Sequence, residues 1–142
     1  MIAEIFRHSY RVPYSLCTVG NHIYYSRYLD IIEAARGEFF RHLGSTFLEL
    51  QEQGVIFPVF ECRLQYHGAA RYDDLLTIEL WLAELGRVRQ TFNYRIVNQE
   101  GRALVEATTV HACTDLDDKP RRIPEALAKA LQPYVHAPTP GA

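Results

Sequence analysis

Along residues 5–12 (IFRHSYRV) apolar and polar positions alternate, with Phe6, His8, Tyr10 and Val12 on one face and Arg7, Ser9 and Arg11 on the other. A period of two predicts a half-buried strand. Pro13, which has no N–H to give to a ladder, ends it. From about Ser26 to Leu43 the period lengthens. Tyr28, Ile31, Ile32, Ala35, Phe39 and Leu43 form one apolar stripe at helical spacing, with Asp30, Gly37, Glu38 and Arg41 opposite. That is the pattern of a long amphipathic helix. Gly44 suits the left-handed position just past its end. Ser45 opens a shorter helix that Gly54 stops. The stretch from Tyr14 to Tyr25, with Gly20-Asn21 in its middle, reads as a loop.

The period then returns to two. Residues 56–66 place Phe60, Cys62, Leu64 and Tyr66 on one side. Residues 75–85 align Leu76, Ile78, Leu80 and Leu82, and residues 87–97 align Val88, Phe92, Tyr94 and Ile96. Residues 103–114 follow the turn Asn98-Gln99-Glu100-Gly101, with Leu104 and Val110 facing one way. Long strands joined by short turns predict an antiparallel meander. Residues 123–131 (IPEALAKAL) predict a short helix with Pro124 at its first position. Residues 1–135 are expected to form a single domain, with 136–142 (HAPTPGA) a frayed tail. One long helix lying on one curved sheet of about five strands buries both stripes, an α+β arrangement.

The composition adds limits. The 142 residues are 48% hydrophobic and 23% charged, enough for a real core. A net charge of −2 gives no global basic field, so no nucleic-acid partner is expected. No apolar run approaches the ~18–20 residues of a membrane span. The opening MIAEIFRHSY carries Glu4 and no apolar signal core, so the cytoplasm is the expected compartment. Three cysteines without close spacing make neither a disulfide framework nor a zinc site. Cys62 and Cys113, in strand-like runs, are expected to be buried thiols, and Cys17 a packed or idle thiol in the loop.

Two segments then acquire meaning together. Asn21-His22-Ile23-Tyr24-Tyr25-Ser26-Arg27-Tyr28-Leu29, followed by Glu33-Ala34-Ala35-Arg36, resembles the loop-to-helix pattern D-x-x-G-H-V-N … Y-L … E-x-A-R of hotdog-fold acyl-CoA thioesterases of the 4-hydroxybenzoyl-CoA thioesterase type. Supporting stretches are Pro58-Val59, Tyr66…Ala69-Ala70-Arg71-Tyr72-Asp73-Asp74-Leu75, and Thr114-Asp115-Leu116-Asp117…Lys119-Pro120-Arg121-Arg122-Ile123-Pro124. The resemblance covers about residues 5–131 and implies a hotdog fold and hydrolysis of an acyl-CoA or acyl-carrier thioester. It also implies a homodimer, extending in some members to a tetramer. Neither cofactor nor metal is called for. Trp81, Phe92, Tyr94 and Tyr66 look like more aromatic surface than one helix covers, which favours association.

Thioester hydrolysis needs a polarised carbonyl, a delivered water and a grip on the CoA arm. The resemblance places the first at backbone N–H groups between about His22 and Ser26, aided by the positive end of the long helix. The family's loop aspartate falls at Thr18, and no Asp or Glu lies between Phe6 and Arg27. A threonine hydroxyl positions water but needs a base. His22 and Glu33 are the candidate bases. His22 alternatively only hydrogen-bonds its loop, and Glu33 alternatively only pairs with Arg36 at i+3. Tyr14, Tyr24 and Tyr25 are candidates to line the acyl pocket. Arg87 and Arg89, and separately Lys119, Arg121 and Arg122, are candidates for the CoA phosphates. The missing carboxylate keeps a second reading open, a module that binds acyl thioesters without hydrolysing them. A hotdog dehydratase ranks below both, because the interior of the long helix holds only His42, near its end.

Overall fold

The computed structural model describes residues 4–136. Strand β1 (Phe6–Arg11) is followed by two short strands, β2 (Cys17–Thr18) and β3 (His22–Ile23). Helices α1 (Tyr28–His42) and α2 (Phe47–Glu52) come next. Strands β4 (Val59–Tyr66), β5 (Leu75–Leu85), β6 (Arg89–Val97) and β7 (Ala103–Ala112) then lead to helix α3 (Glu125–Leu131). Among the described residues no helix is long and apolar enough to cross a membrane.

The five long strands form one antiparallel sheet in the order β1-β5-β6-β7-β4, and α1 lies on its inner face. This is the expected hotdog fold. Leu76, Ile78, Leu80 and Leu82 of β5 are fully buried, as are Phe92, Tyr94 and Ile96 of β6. From the helix, Tyr28, Ile31, Ile32, Ala35 and Phe39 meet them. Each large side chain so buried contributes roughly 1.5–3 kcal/mol. Asp30 in the first turn of α1 and Arg41 and His42 in the last complement the helix dipole. Gly44, at φ 101°, takes the left-handed position past the end.

Several expectations change. Phe40, outside the single stripe, is also fully buried, because α2 packs on that flank. Phe40 stacks on Phe57 at 5.6 Å and meets Phe47 edge-on at 5.2 Å. Thr46, not Ser45, caps α2. Its hydroxyl accepts from the Glu49 amide while the Glu49 carboxylate accepts from the Thr46 amide. Pro124 is the residue before the first turn of α3, its ψ of 136° being extended. The tail from 137 onward lies outside the described residues. His136, assigned to that tail, is instead held: its amide donates to the Leu82 carbonyl and its ring stacks on Trp81.

The largest change concerns β4. It pairs only with β7, so it is an edge strand, and its residues are exposed but for partly buried Leu64. Cys62 is therefore exposed, contrary to expectation, whereas Cys113 is buried. The aromatic argument for association also moves here. Phe92 and Tyr94 lie inside the core, while Phe60 (57% exposed), Tyr66 (47%) and Val59 (46%) stand on this edge. A long, apolar, unpaired edge is a template for pairing with another chain.

Candidate functional site

The segment read as a loop holds the hairpin β2–β3. Gly20 (φ 84°) and Asn21 (φ 62°) carry the positive torsions of its tip, and the Asn21 amide donates to the Thr18 carbonyl. The hairpin is tied to residues 70–72. Asn21 Oδ1 accepts from the Tyr72 amide, the Arg71 guanidinium donates to the Gly20 carbonyl, and the Ile23 amide donates to the Ala70 carbonyl. Thr18 lies directly opposite His22 in this ladder. Facing residues in such a pair have Cβ atoms about 4.5–5.5 Å apart. Two sequence candidates separated by a turn thus become neighbours. Both are exposed, and the His22 ring makes no hydrogen bond among the described residues. The reading of His22 as a plain loop-bracing histidine loses its support.

The chain then turns through one short 3-10 turn, Tyr25–Arg27, into α1. The amide of Ile23 is used by Ala70, that of Tyr24 by the Leu16 carbonyl and that of Arg27 by the Tyr24 carbonyl. The amides of Tyr25 and Ser26 have no hydrogen-bond partner among the described residues. The expected cradle of N–H groups thus narrows to these two, at the positive end of α1.

From this point one stripe of α1 runs outward through Leu29, Glu33 and Arg36, which share a face at 100° per residue. Glu33 stands about 8 Å and Arg36 about 12 Å along the axis from Tyr28. Strand β4 follows the stripe. The Tyr66 hydroxyl donates to the Tyr25 carbonyl at 3.0 Å and its ring lies 5.5 Å from that of Tyr28. Further along, Cys62 comes near Arg36. Loss of hydration raises its thiol pKa, and the guanidinium charge partly opposes the rise. The outcome is a groove between helix and edge strand, open on the side where β4 is unpaired.

A cleft of about 220 Å³ lies between α1 and α2, and Glu33 and Arg36 of the same helix reach it. Its walls are Phe47, Leu50, Val55, Ile56 and Phe57, and its polar groups are Glu33, Arg36 and Gln51. The expected Glu33–Arg36 pair is not formed: no carboxylate oxygen approaches Arg36 within 4.0 Å among the described residues. Glu33 is exposed and Arg36 half-buried.

Arg36 is held otherwise. Its Nη1 donates to the Tyr94 hydroxyl (3.2 Å), which bonds to the Thr109 hydroxyl (2.8 Å), which bonds to His111 Nε2 (2.8 Å). His111 Nδ1 meets the Phe57 carbonyl at 2.9 Å. Burial and the charge of Arg36 lower the His111 pKa to about 4, so the ring is neutral at pH 7. A carbonyl only accepts, so Nδ1 carries the proton and Nε2 is the acceptor. Thr109 must then donate to His111, Tyr94 to Thr109, and Arg36 to Tyr94. Every proton in the chain has one direction. Sequence reading missed this set, because Tyr94 reads as one more core-face residue beside Phe92 and Ile96, and spacing within β7 does not show what stands beside Thr109 and His111. The signal was a histidine inside a run that is otherwise small and apolar.

The tyrosine candidates divide. Tyr24 and Tyr25 touch each other at the helix entrance, with ring centroids 4.8 Å apart. Tyr14 is 76% exposed and packs edge-on against Tyr72, beside the hairpin's attachment segment. The two basic groups, separate in sequence, become adjacent: the Ile123 amide donates to the Arg87 carbonyl and the Cys113 amide to the Val88 carbonyl. Two of these arginines already have work. Arg121 Nη1 donates to the carbonyls of Gln53 and Gly54 at the end of α2, and Arg89 pairs with Glu84 at 3.5 Å and lies over Phe60. Arg87, Lys119 and Arg122 are exposed and make no salt bridge among the described residues.

Known proteins resemble this chain in sequence and fold. The family model of the thioesterase-like superfamily matches residues 12–131. The acyl-CoA thioester hydrolase YbgC of Escherichia coli is 33% identical over 128 residues, which cover 89% of this chain and 96% of that one. The acyl-CoA thioesterase YbgC of Haemophilus influenzae is 33% identical over 133 residues, 92% of this chain and 97% of its own. A hypothetical protein of Thermus thermophilus, known from its crystal structure, superposes with a TM-score of 0.83 at 30% identity, covering 90% of this chain and 98% of that one.

Proposed function

The chain belongs to the thioesterase-like superfamily, and from that premise we propose that it hydrolyses acyl thioesters of coenzyme A at the groove in front of α1. The observation that carries this reading is the pair of unpartnered amides, Tyr25 and Ser26, on the turn that enters α1, with Glu33 further along the same helix. The thioester oxygen accepts from those amides, and the donors are strongest when that oxygen becomes negative in the tetrahedral intermediate. Glu33 takes a proton from the attacking water, and CoA leaves as the thiol after protonation. His22, opposite Thr18, forms the hairpin wall of the groove, with Thr18 available to orient the water. Tyr24 and Tyr25 line the entrance, and Tyr14 stands further out.

A second copy of the chain completes the site by pairing its own β4 along the free edge, covering Val59, Phe60 and Tyr66. Sedimentation at twice the chain mass is the expected result. The phosphates of CoA are held by Arg87, Lys119 and Arg122. The double change Lys119→Ala and Arg122→Ala is expected to raise KM for CoA thioesters about tenfold, the effect of losing one charge-assisted contact. With kcat unchanged and the effect shrinking in high salt, the contact is electrostatic binding; an unchanged KM removes these two residues from the site.

The direct test is a panel of acyl-CoAs with thiol detection, run on the wild type and on Glu33→Gln. Turnover by the wild type, strongly reduced in the variant while CoA still raises its melting temperature, supports the reading. Binding without turnover for every acyl group assigns the chain to the non-hydrolytic class that Thr18 first suggested.

A further inference from the structure

We propose that Arg36 determines which acyl groups this protein accepts, by pairing with a carboxylate at the far end of a short acyl chain lying in the α1–α2 cleft. The inference rests on the reading of the α1 groove as the thioester site.

Arg36 is a half-buried cation with no carboxylate partner among the described residues. A guanidinium carries five N–H donors, and one of them is committed, to the Tyr94 hydroxyl. Its other contact is with the Phe47 ring, 5.8 Å away. Nothing further along the chain supplies a counter-charge, since Tyr94, Thr109 and His111 are all neutral donors or acceptors. A charge that has lost part of its water is most stabilised by an opposite charge with hydrogen-bond geometry, and a carboxylate matches the guanidinium fork.

The one-way chain fixes where that charge points. The Phe57 carbonyl can only accept, which sets His111, then Thr109, then Tyr94, so the Tyr94 oxygen keeps a lone pair for Arg36. Arg36 and Phe57, the two ends of the chain, both line the cleft. Tyr94 is thus a positioning residue, acting through Arg36.

Position along α1 separates the two ends of the substrate. The free amides and Glu33 lie toward the front, and Arg36 about one turn beyond Glu33. The cleft, at about 220 Å³, is smaller than the ~300–1,000 Å³ of sites for drug-sized ligands. It suits a short acyl chain against Phe47, Leu50 and Phe57, ending at Arg36 beside Gln51. Glu33 stands toward the mouth and would repel a carboxylate placed there, which favours the inner end at Arg36.

The test compares glutaryl-CoA with pentanoyl-CoA, matched in chain length and differing in the terminal carboxylate. The wild type is expected to favour glutaryl-CoA in kcat/KM by about ten- to hundredfold, the range of one charge-assisted pair. Arg36→Met is expected to erase that preference by lowering kcat/KM for glutaryl-CoA about ten- to hundredfold more than for pentanoyl-CoA. Tyr94→Phe is expected to raise KM for glutaryl-CoA with kcat retained. Wild-type preference for pentanoyl-CoA overturns the proposal whether or not the variants fold. So does an equal loss on both substrates in a folded Arg36→Met, which would place Arg36 at the reacting carbonyl. If neither compound is hydrolysed, calorimetric binding decides. Tighter binding of glutaryl-CoA that Arg36→Met abolishes keeps this inference, and the wider acyl-CoA panel then decides the hydrolytic reading; equal binding removes the inference.

Discussion

Exchanging Glu33 for glutamine is expected to lower kcat for acyl-CoA hydrolysis by about 10²–10⁴-fold, the range for loss of a general base. The substitution keeps the shape and removes the negative charge that accepts the proton. Glu33 is exposed and makes no ion pair among the described residues, so the fold loses little by the change. KM is expected to stay close to that of the wild type, because the amides and the basic edge still bind the substrate. Steady-state kinetics on Glu33→Gln beside His22→Gln assigns the base: a full rate in the first and a collapsed rate in the second would transfer the role to the imidazole. Retention of activity in both would leave the groove without a base and defeat the mechanism.

His111 is expected to make the fold acid-sensitive. Its pKa is lowered to about 4 in the folded chain, from an ordinary value of 6.5. The unfolded chain therefore takes up a proton below about 6.5, while the folded chain resists until about 4. The associated stability is fully present above pH 6.5 and is lost as the pH falls toward 4. For one group the loss approaches about 3 kcal/mol. Urea unfolding at pH 7.5 and pH 4.5 measures it. His111→Gln is expected to be less stable at pH 7.5, since it disturbs the bonds to Thr109 and Phe57, but to lose less between the two pH values. Carboxylates add the same background slope to both proteins, so the difference between the slopes is the readout. Parallel slopes would show that His111 does not carry the effect. Protonation would also turn Nε2 into a donor and break the order of the chain that holds Arg36.

The strand β5 was legible because Leu76, Ile78, Leu80 and Leu82 alternate without interruption and all four are buried in a central strand. The span of α1 was legible because its stripe repeats over four turns and Gly44 closes it. In β4 the same alternation misled. Cys62, Leu64 and Tyr66 do share a face, but the bulge between Val59 and Glu61 takes Phe60 off it and under Arg89, and the strand is at an edge that the helix covers little of. Period reports which residues face together; it does not report whether anything lies opposite. The small hairpin escaped notice because two-residue strands are too short to show a period at all.

The candidate site divides along the same line. Thr18, His22, the helix entrance and Glu33 lie within sixteen positions of one another, and short-range spacing around one turn and one helix start was enough to find them. Local propensity and the 3.6-residue repeat operate over such distances. The partners of Arg36 lie 58 to 75 positions away, at Tyr94, Thr109 and His111, and the adjacency of Arg87 to Ile123 joins segments 36 apart. Such meetings depend on strand order and on which strand is left at the edge. Those are settled by how the sheet and helix pack as a whole, through contacts that no local pattern encodes.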